Sequence, residues 1–267
     1  MNKVLYTLNY NQYEPEICSI TYPLIKQYCH KIGADFRIID KPFDLGVDTK
    51  ISGKFHLHKL AQEKNQITMF LDSDALIHPD APDFMIHCIG PKLVFCFGQD
   101  YPFMRFRADQ FFAYAQANGL VEPYTMVPYG MCTWCVICND SSYHVWEPPV
   151  NAAEAISYIT PTVVEAHIKT AASLLDDYQT SLNLVKHKLT IINGIEALTA
   201  VKYTGVMPFY HQYLVTPEEK ARQLKFVRDN VWGLGKDARF HFDLHASNFN
   251  KEIFSKFNPK KWWQIWK

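Results

Sequence analysis

The chain has 267 residues, with 27 basic against 27 acidic side chains and 48% hydrophobic residues. This balance excludes a disordered tail, a fibre and a protein that coats nucleic acid through a strong positive field. One large α/β domain, or two closely packed halves, is expected at this length.

The amino-terminal third alternates predicted strands with predicted helices. The apolar patterns predict strands over 3–9, 34–39 and 67–71, and helices over 15–32 and 54–63. Gly33 is positioned to cap the first helix. This order is typical of a mostly parallel sheet flanked by helices, which binds ligands at the carboxyl ends of its strands, here after Leu8 and Leu71.

Later elements alternate less regularly. The same patterns predict strands over 92–97, 132–138 and 239–245, and a helix over 104–118. Thr160-Pro161 and Thr216-Pro217 each predict a helix start, and Glu219 would complete a capping box with Thr216.

The seven cysteines are odd in number, and the start of the chain lacks the apolar core of a signal peptide. Both features predict reduced thiols in a cytoplasmic protein. No run approaches the roughly 18 apolar residues of a membrane span. The basic and aromatic segment 251–267 is suited either to peripheral contact with a membrane or to closing over the protein's own apolar surface.

Asp72 and Asp74 directly follow the predicted strand 67–71. Two carboxylates two residues apart at a strand end can jointly bind a hard cation such as Mn²⁺ or Mg²⁺. An Asp-x-Asp triplet also arises by chance and in solvated turns, so the preceding buried strand carries the prediction of a metal site.

Residues 51–84, with Lys54-Phe55, Leu60 and the run ITMFLDSDALIHPDAPDF, resemble the core signature of GT-A fold glycosyltransferases, family 8 in particular. The resemblance implies an α/β, Rossmann-like fold with a mixed, mostly parallel central sheet flanked by helices. It also implies transfer of a hexose from a nucleotide-sugar, most simply a UDP-sugar, to an acceptor hydroxyl with help from Mn²⁺ or Mg²⁺. One catalytic domain is expected, with a donor half over about 1–100, an acceptor half over about 101–250 and the tail 251–267.

Three further segments resemble family 8. Residues 7–10 resemble the strand end that holds the nucleobase, 175–183 the acidic helix start beside the sugar, and 239–251 the late strand that supplies a histidine ligand and a lysine for the diphosphate. The residues so implied are Asp176, Asp177 and Lys54 for catalysis; Thr7, Leu8, Asn9, Tyr10, Lys54, Ser73 and Lys251 for cofactor binding; and Asp72, Asp74 and His245, or alternatively His241, for the metal.

Other interpretations stay open at this point. The helix dipole alone favours acids at 176–177, and Asp177 would be the base if transfer inverted the sugar, although the resemblance favours retention. A phosphatase or phosphotransferase could use Asp72 as nucleophile and Asp74 as acid, but Leu76 stands where that pattern has Thr or Val. A non-catalytic carbohydrate-binding protein is the third possibility. The acceptor is open among a glycan, a lipid-linked sugar, a protein and a modified DNA base.

Cys132, Cys135 and Cys138 have the spacing that zinc and iron–sulfur sites use. Alternate residues of a strand face opposite ways, so the three thiols would not converge on one ion. We therefore predict that they bind neither zinc nor iron.

Overall fold

The computed structural model describes residues 1–10, 14–96, 102–122, 133–160, 170–194, 197, 208–211 and 216–234, with the side chains of 102–108 left aside. Its strands are β1 (Asn2–Leu8), β2 (Asp35–Ile39), β3 (Gln66–Leu71), β4 (Ala75–Ile77), β5 (Leu93–Cys96), β6 (Cys135–Asn139), β7 (Thr190–Asn193) and β8 (Phe209–His211). Its α-helices are α1 (Pro15–Ile32), α2 (Leu57–Leu60), α3 (Pro102–Ala117), α4 (Ala152–Ser157), α5 (Leu175–Lys186) and α6 (Pro217–Phe226). Shorter 3₁₀ turns include Ser52–His56 and Tyr143–Trp146.

Six strands form one mixed sheet in the order β2-β1-β3-β6-β5-β7. Only β6 runs against its neighbours, and the β1–β2, β1–β3 and β5–β7 pairs are parallel. The expected class, a mixed and mostly parallel sheet flanked by helices, is confirmed. Strands β4 and β8 form a separate antiparallel pair.

The two faces of the sheet bury two different apolar cores. Met69 of β3 packs in the core under α1 with Ile25 and Tyr28, whereas its neighbour Phe70 faces Trp146 and the side of α2 and α5. This division follows from the alternation of side chains along a strand. The sheet is thus covered on both sides, as parallel strands require.

The first helix matches its prediction at both ends. Pro15 occupies the first turn, and Gly33 caps the carboxyl end with a φ of 67°. A left-handed φ of this kind is the conformation for which glycine is favoured in a helix cap. Thr216 likewise caps α6 by accepting a hydrogen bond from the backbone N–H of Glu219.

The helix predicted over 54–63 is wrong in its extent. A 3₁₀ turn begins at Ser52, two residues before the predicted start, and only Leu57–Leu60 is α-helical. The position of Gly53 in this turn has no room for a side chain, because an added Cβ would lie 2.3 Å from a Leu8 methyl carbon and 2.9 Å from the Lys41 carbonyl oxygen. The glycine therefore allows the turn to pack closely against Leu8 and Lys41.

The strand predicted over 132–138 begins later, at Cys135, because Thr133 and Trp134 form a turn. Cys135 and Cys138 lie in opposite cores, as the alternation predicts. Cys132, the helix start at Thr160-Pro161 beyond residue 160, and the strand predicted over 239–245 lie outside the described residues. Among the helices described, none is both long enough and apolar enough to cross a membrane.

Candidate functional site

Asp72 and Asp74 lie at the carboxyl end of the buried strand β3, between it and β4. The backbone N–H of Asp72 donates to the Trp134 carbonyl, and the Thr21 hydroxyl donates to the Ser73 carbonyl at 2.6 Å. These two bonds, one to the turn before β6 and one from α1, fix the backbone at Asp72 and between the two acids. Local sequence therefore delivers both acids to the predicted edge.

The antiparallel pair of β4 and β8 brings His211 to the acidic pair, because His211 lies opposite Ala75. Its Nε2 is 3.4 Å from Asp74 Oδ1 and 3.8 Å from Asp72 Oδ2. The Trp134 ring stacks on the imidazole at a centroid distance of 5.3 Å. One ligand atom from each of Asp72, Asp74 and His211 lies within 4.8 Å of the others, a spacing that a single ion could bridge.

Two lysines compensate the charge of the acidic pair. Lys54 Nζ is 2.9 Å from Asp72 Oδ1 and 2.7 Å from Asp176 Oδ2, and Lys220 of α6 pairs with Asp74 Oδ2. Burial lowers the pKa of Lys54, but the carboxylates of Asp176 and Asp72 outweigh it and raise the pKa overall. Lys54 is therefore a fixed cation at neutral pH.

The pKa of Asp74 is lowered despite its burial. Desolvation raises this pKa, but His211 and Lys220 lower it by more. The carboxyl group of Asp74 consequently stays ionised, which suits a metal ligand and does not suit a general acid.

Asp176 and Asp177 occupy the first turn of α5, where the helix dipole favours negative charge. The Thr133 hydroxyl oxygen lies 2.5 Å from Asp176 Oδ2 and 2.8 Å from Asp177 Oδ1, and the Thr133 backbone N–H donates to Asp177 Oδ1. Lys54 joins this group to Asp72. The structure thus brings together Lys54, Asp72, Asp74, Asp176 and Asp177.

The predicted nucleobase residues lie at the end of β1. Thr7 is fully buried, and its Oγ1, like Asn9 Oδ1, has no hydrogen-bond partner. The Tyr10 hydroxyl donates to the Thr49 carbonyl, and Leu8 packs toward Gly53. A cavity of about 700 Å³ beside this strand end is lined in part by Asn9 and by Cys18 and other residues of α1.

His241, His245 and Lys251 lie outside the described residues. The sequence reasoning missed His211 and Lys220. His211 ends a short apolar run, and Lys220 is one of several charges on α6. Only the need of a buried carboxylate, here that of Asp74, for nearby positive charge would have pointed to such partners.

Comparisons with known proteins give structural likenesses only. No protein-family model matches the chain, and no curated protein matches it. A glycosyltransferase involved in glycosylation of the major capsid of PBCV-1 aligns with a TM-score of 0.47 and 11% identity, covering 85% of this chain and 100% of that one. Mouse xyloside xylosyltransferase 1, in its apo form, aligns with a TM-score of 0.42 and 9% identity, covering 79% and 98% of the two chains.

A third solved structure, the galactosyltransferase LgtC in complex with donor and acceptor sugar analogues, aligns with a TM-score of 0.42 and 12% identity. The alignment covers 83% of this chain and 95% of that one. All three are glycosyltransferases. Identities of at most 12% and TM-scores below 0.5 do not identify an activity for this chain.

Proposed function

We propose that the chain is a metal-dependent glycosyltransferase of the GT-A type that moves a sugar from a nucleotide-sugar to an acceptor hydroxyl. The observation that carries the proposal is the convergence of Asp72, Asp74 and His211 at the carboxyl end of β3. Open α/β sheets bind their ligands at this edge. The position of this metal site follows from the geometry alone. The resemblance of residues 51–84 to family 8 agrees with that position.

The donor set fits a divalent cation. Two carboxylates and one imidazole are ligands that Mn²⁺ accepts, and carboxylates also suit Mg²⁺. When bound, such an ion supplies Lewis-acid stabilisation to a departing diphosphate. Asp72 and Asp74 would hold it, with His211 as the third protein ligand and His245 or His241 as the alternatives that the sequence offers.

The remaining residues have separate proposed roles. Lys54 would place a permanent positive charge beside the leaving diphosphate, where negative charge grows in the transition state, and Lys251 would add another. Asp176 positions Lys54, and Asp177 would orient the sugar or the acceptor hydroxyl in a retaining transfer, or act as base in an inverting one.

Nucleoside binding belongs to the end of β1 in this proposal. Thr7, Leu8, Asn9 and Tyr10 would contact the base of a UDP-sugar, with Ser73 beside the diphosphate. The unpartnered Asn9 Oδ1 and the adjoining cavity support this role. We propose a single catalytic domain, with its donor half over about 1–100 and its acceptor half over about 101–250.

The phosphatase alternative requires Asp74 to donate a proton. The contacts with His211 and Lys220, which lower the pKa of Asp74, argue against that role. A non-catalytic carbohydrate-binding protein would bind a sugar nucleotide without consuming it, so turnover separates it from a transferase.

The test is release of UDP from a panel of UDP-sugars with Mn²⁺, where water serves as a slow acceptor. We expect release by the parent protein, loss with EDTA, and a loss of about 100-fold or more in the Asp72→Asn/Asp74→Asn variant. Asp80→Asn, an exposed carboxylate just beyond β4, is the matched control and should retain activity. No release of UDP from any donor, or equal release by the double variant, would refute the proposal; hydrolysis of a phosphate monoester by the same protein would favour the phosphatase.

A further inference from the structure

A second group of metal-ligating side chains lies away from the site formed by Asp72, Asp74 and His211 with Lys54, Lys220 and Asp176, which we call the acidic site. His144 and Glu147 belong to the segment after β6, and His187 follows the carboxyl end of α5. One ligand atom from each lies within 4.8 Å of the others. The ring of His58, in α2, lies 5.8 Å from the ring of His144. We call these four residues the histidine cluster.

The members of the histidine cluster already contact one another. His187 Nε2 pairs with Glu147 Oε2, and Lys186 Nζ lies 2.9 Å from the same oxygen. The rings of His144 and His187 are stacked, with centroids 4.5 Å apart and planes 15° from parallel. Both contacts of Glu147 use Oε2, and a carboxylate has lone pairs on two oxygens.

Two imidazole nitrogens in the histidine cluster are buried without a hydrogen-bond partner, His58 Nε2 and His144 Nδ1. Such atoms are uncommon in folded proteins and call for a water molecule or an ion. An unpartnered imidazole nitrogen that carries no proton has a lone pair available for such an ion.

We propose that the histidine cluster binds a divalent transition-metal ion of the zinc type through His144, Glu147 and His187, with His58 as the fourth ligand. Imidazoles with one carboxylate are an established ligand set for Zn²⁺. Zinc–nitrogen bonds of about 2.0–2.1 Å place two ligand atoms at most about 4.2 Å apart, so small side-chain rotations would close the present spacing. Hard cations such as Mg²⁺ prefer oxygen ligands and would favour the acidic site instead.

The position of the histidine cluster points to a structural role. It joins α2, the segment after β6 and the end of α5, three elements that cover the same face of the sheet. Along α5, His187 is about 16 Å from Asp176 at the helical rise per residue. The ion would therefore fix the end of α5 opposite the acidic site and would not touch the reacting groups, so this inference does not depend on the proposed function.

The test uses the full chain, stripped of metal by a chelator, in the Asp72→Asn/Asp74→Asn background so that the acidic site cannot contribute. Zn²⁺ is titrated by calorimetry, and Co²⁺ by its visible absorption, which is intense in tetrahedral sites. We expect one ion per chain, a strong cobalt band, and a loss of zinc affinity of at least about 100-fold in the His144→Ala/His187→Ala variant. His30→Ala, an exposed histidine of α1, is the control and should bind as the parent does.

Glu147→Gln covers the case in which the double histidine variant does not fold, because it keeps the shape of the side chain and removes its charge. It should weaken zinc binding about 10-fold to 100-fold. Lys186→Met removes a cation that competes for Glu147 and should strengthen zinc binding. Absence of the cobalt band in the parent, or equal zinc affinity in the parent and the Glu147→Gln protein, would overturn the proposal. Either result would leave the UDP-release test of the acidic site unaffected.

Discussion

The acidic site and the histidine cluster lie at opposite ends of α5 and differ in how their buried polar groups are paired. At the acidic site, the carboxyl groups of Asp72, Asp74 and Asp176 are paired with the buried ammonium groups of Lys54 and Lys220. In the histidine cluster, the rings of His58 and His144 each leave a buried nitrogen unpartnered.

The two ends of α5 therefore suit different cations. Carboxylate oxygens at the acidic site suit a hard ion that could also meet a diphosphate. Neutral imidazoles with a single carboxylate suit a softer ion held for structure.

We expect the largest loss of stability when the charge compensation at the acidic site is removed. Lys54→Met would leave Asp72 and Asp176 without their shared cation and should lower the free energy of unfolding by about 3–5 kcal/mol. Lys186→Met removes the corresponding lysine of the histidine cluster, whose side chain is 30% exposed, and should cost about 1 kcal/mol or less. Urea unfolding of both variants measures the contrast; equal costs would show that burial does not separate the two ends.

A smaller effect is expected at the loop that carries the acidic pair. Thr21→Val keeps the side-chain volume but removes the hydroxyl that donates to the Ser73 carbonyl. The unsatisfied buried carbonyl should cost about 1–3 kcal/mol of unfolding free energy. Ser19→Ala, which removes an exposed hydroxyl of the same helix, should stay within about 0.5 kcal/mol. A Thr21→Val protein as stable as the Ser19→Ala protein would contradict the anchoring role of this bond.

The pH dependence of stability tests the charge of Asp74 at the acidic site. Because the folded protein lowers the pKa of Asp74 below its ordinary value of 3.8, its ionised form stabilises the fold above that value, and this stabilisation is lost as the pH falls through the folded pKa. In metal-free protein, the difference in unfolding free energy between the parent and Asp74→Asn should therefore be constant from neutral pH to about pH 5 and should shrink as the pH falls from about 4 toward 3. A difference that stays constant as the pH falls from about 4 toward 3 would contradict the lowered pKa.

The sequence predicts the amino-terminal half of the sheet well because its signals are local. Apolar runs define β1 and β3, and Gly33 ends α1 where the pattern stops. Asp72 and Asp74 are predictable for the same reason, since their place depends on the strand directly before them.

Other parts of the site depend on contacts between distant segments. His211 reaches the acidic pair only because β8 pairs with β4, and β8 has just three residues. Lys220 arrives on α6, and no spacing in the sequence links it to Asp74. The residues of the histidine cluster likewise come from three separate segments, so no sequence motif predicts the cluster.

The most direct test of the central claim is Mn²⁺ binding, measured by electron paramagnetic resonance in the presence of UDP. We expect one Mn²⁺ per chain, bound more tightly with UDP than without it, and a loss of binding in both Asp74→Asn and His211→Ala. His187→Ala, a histidine of the other end of α5, should bind as the parent does. If Asp74→Asn and His211→Ala bind Mn²⁺ and UDP as tightly as the parent, the acidic site is not the metal centre and the account is wrong.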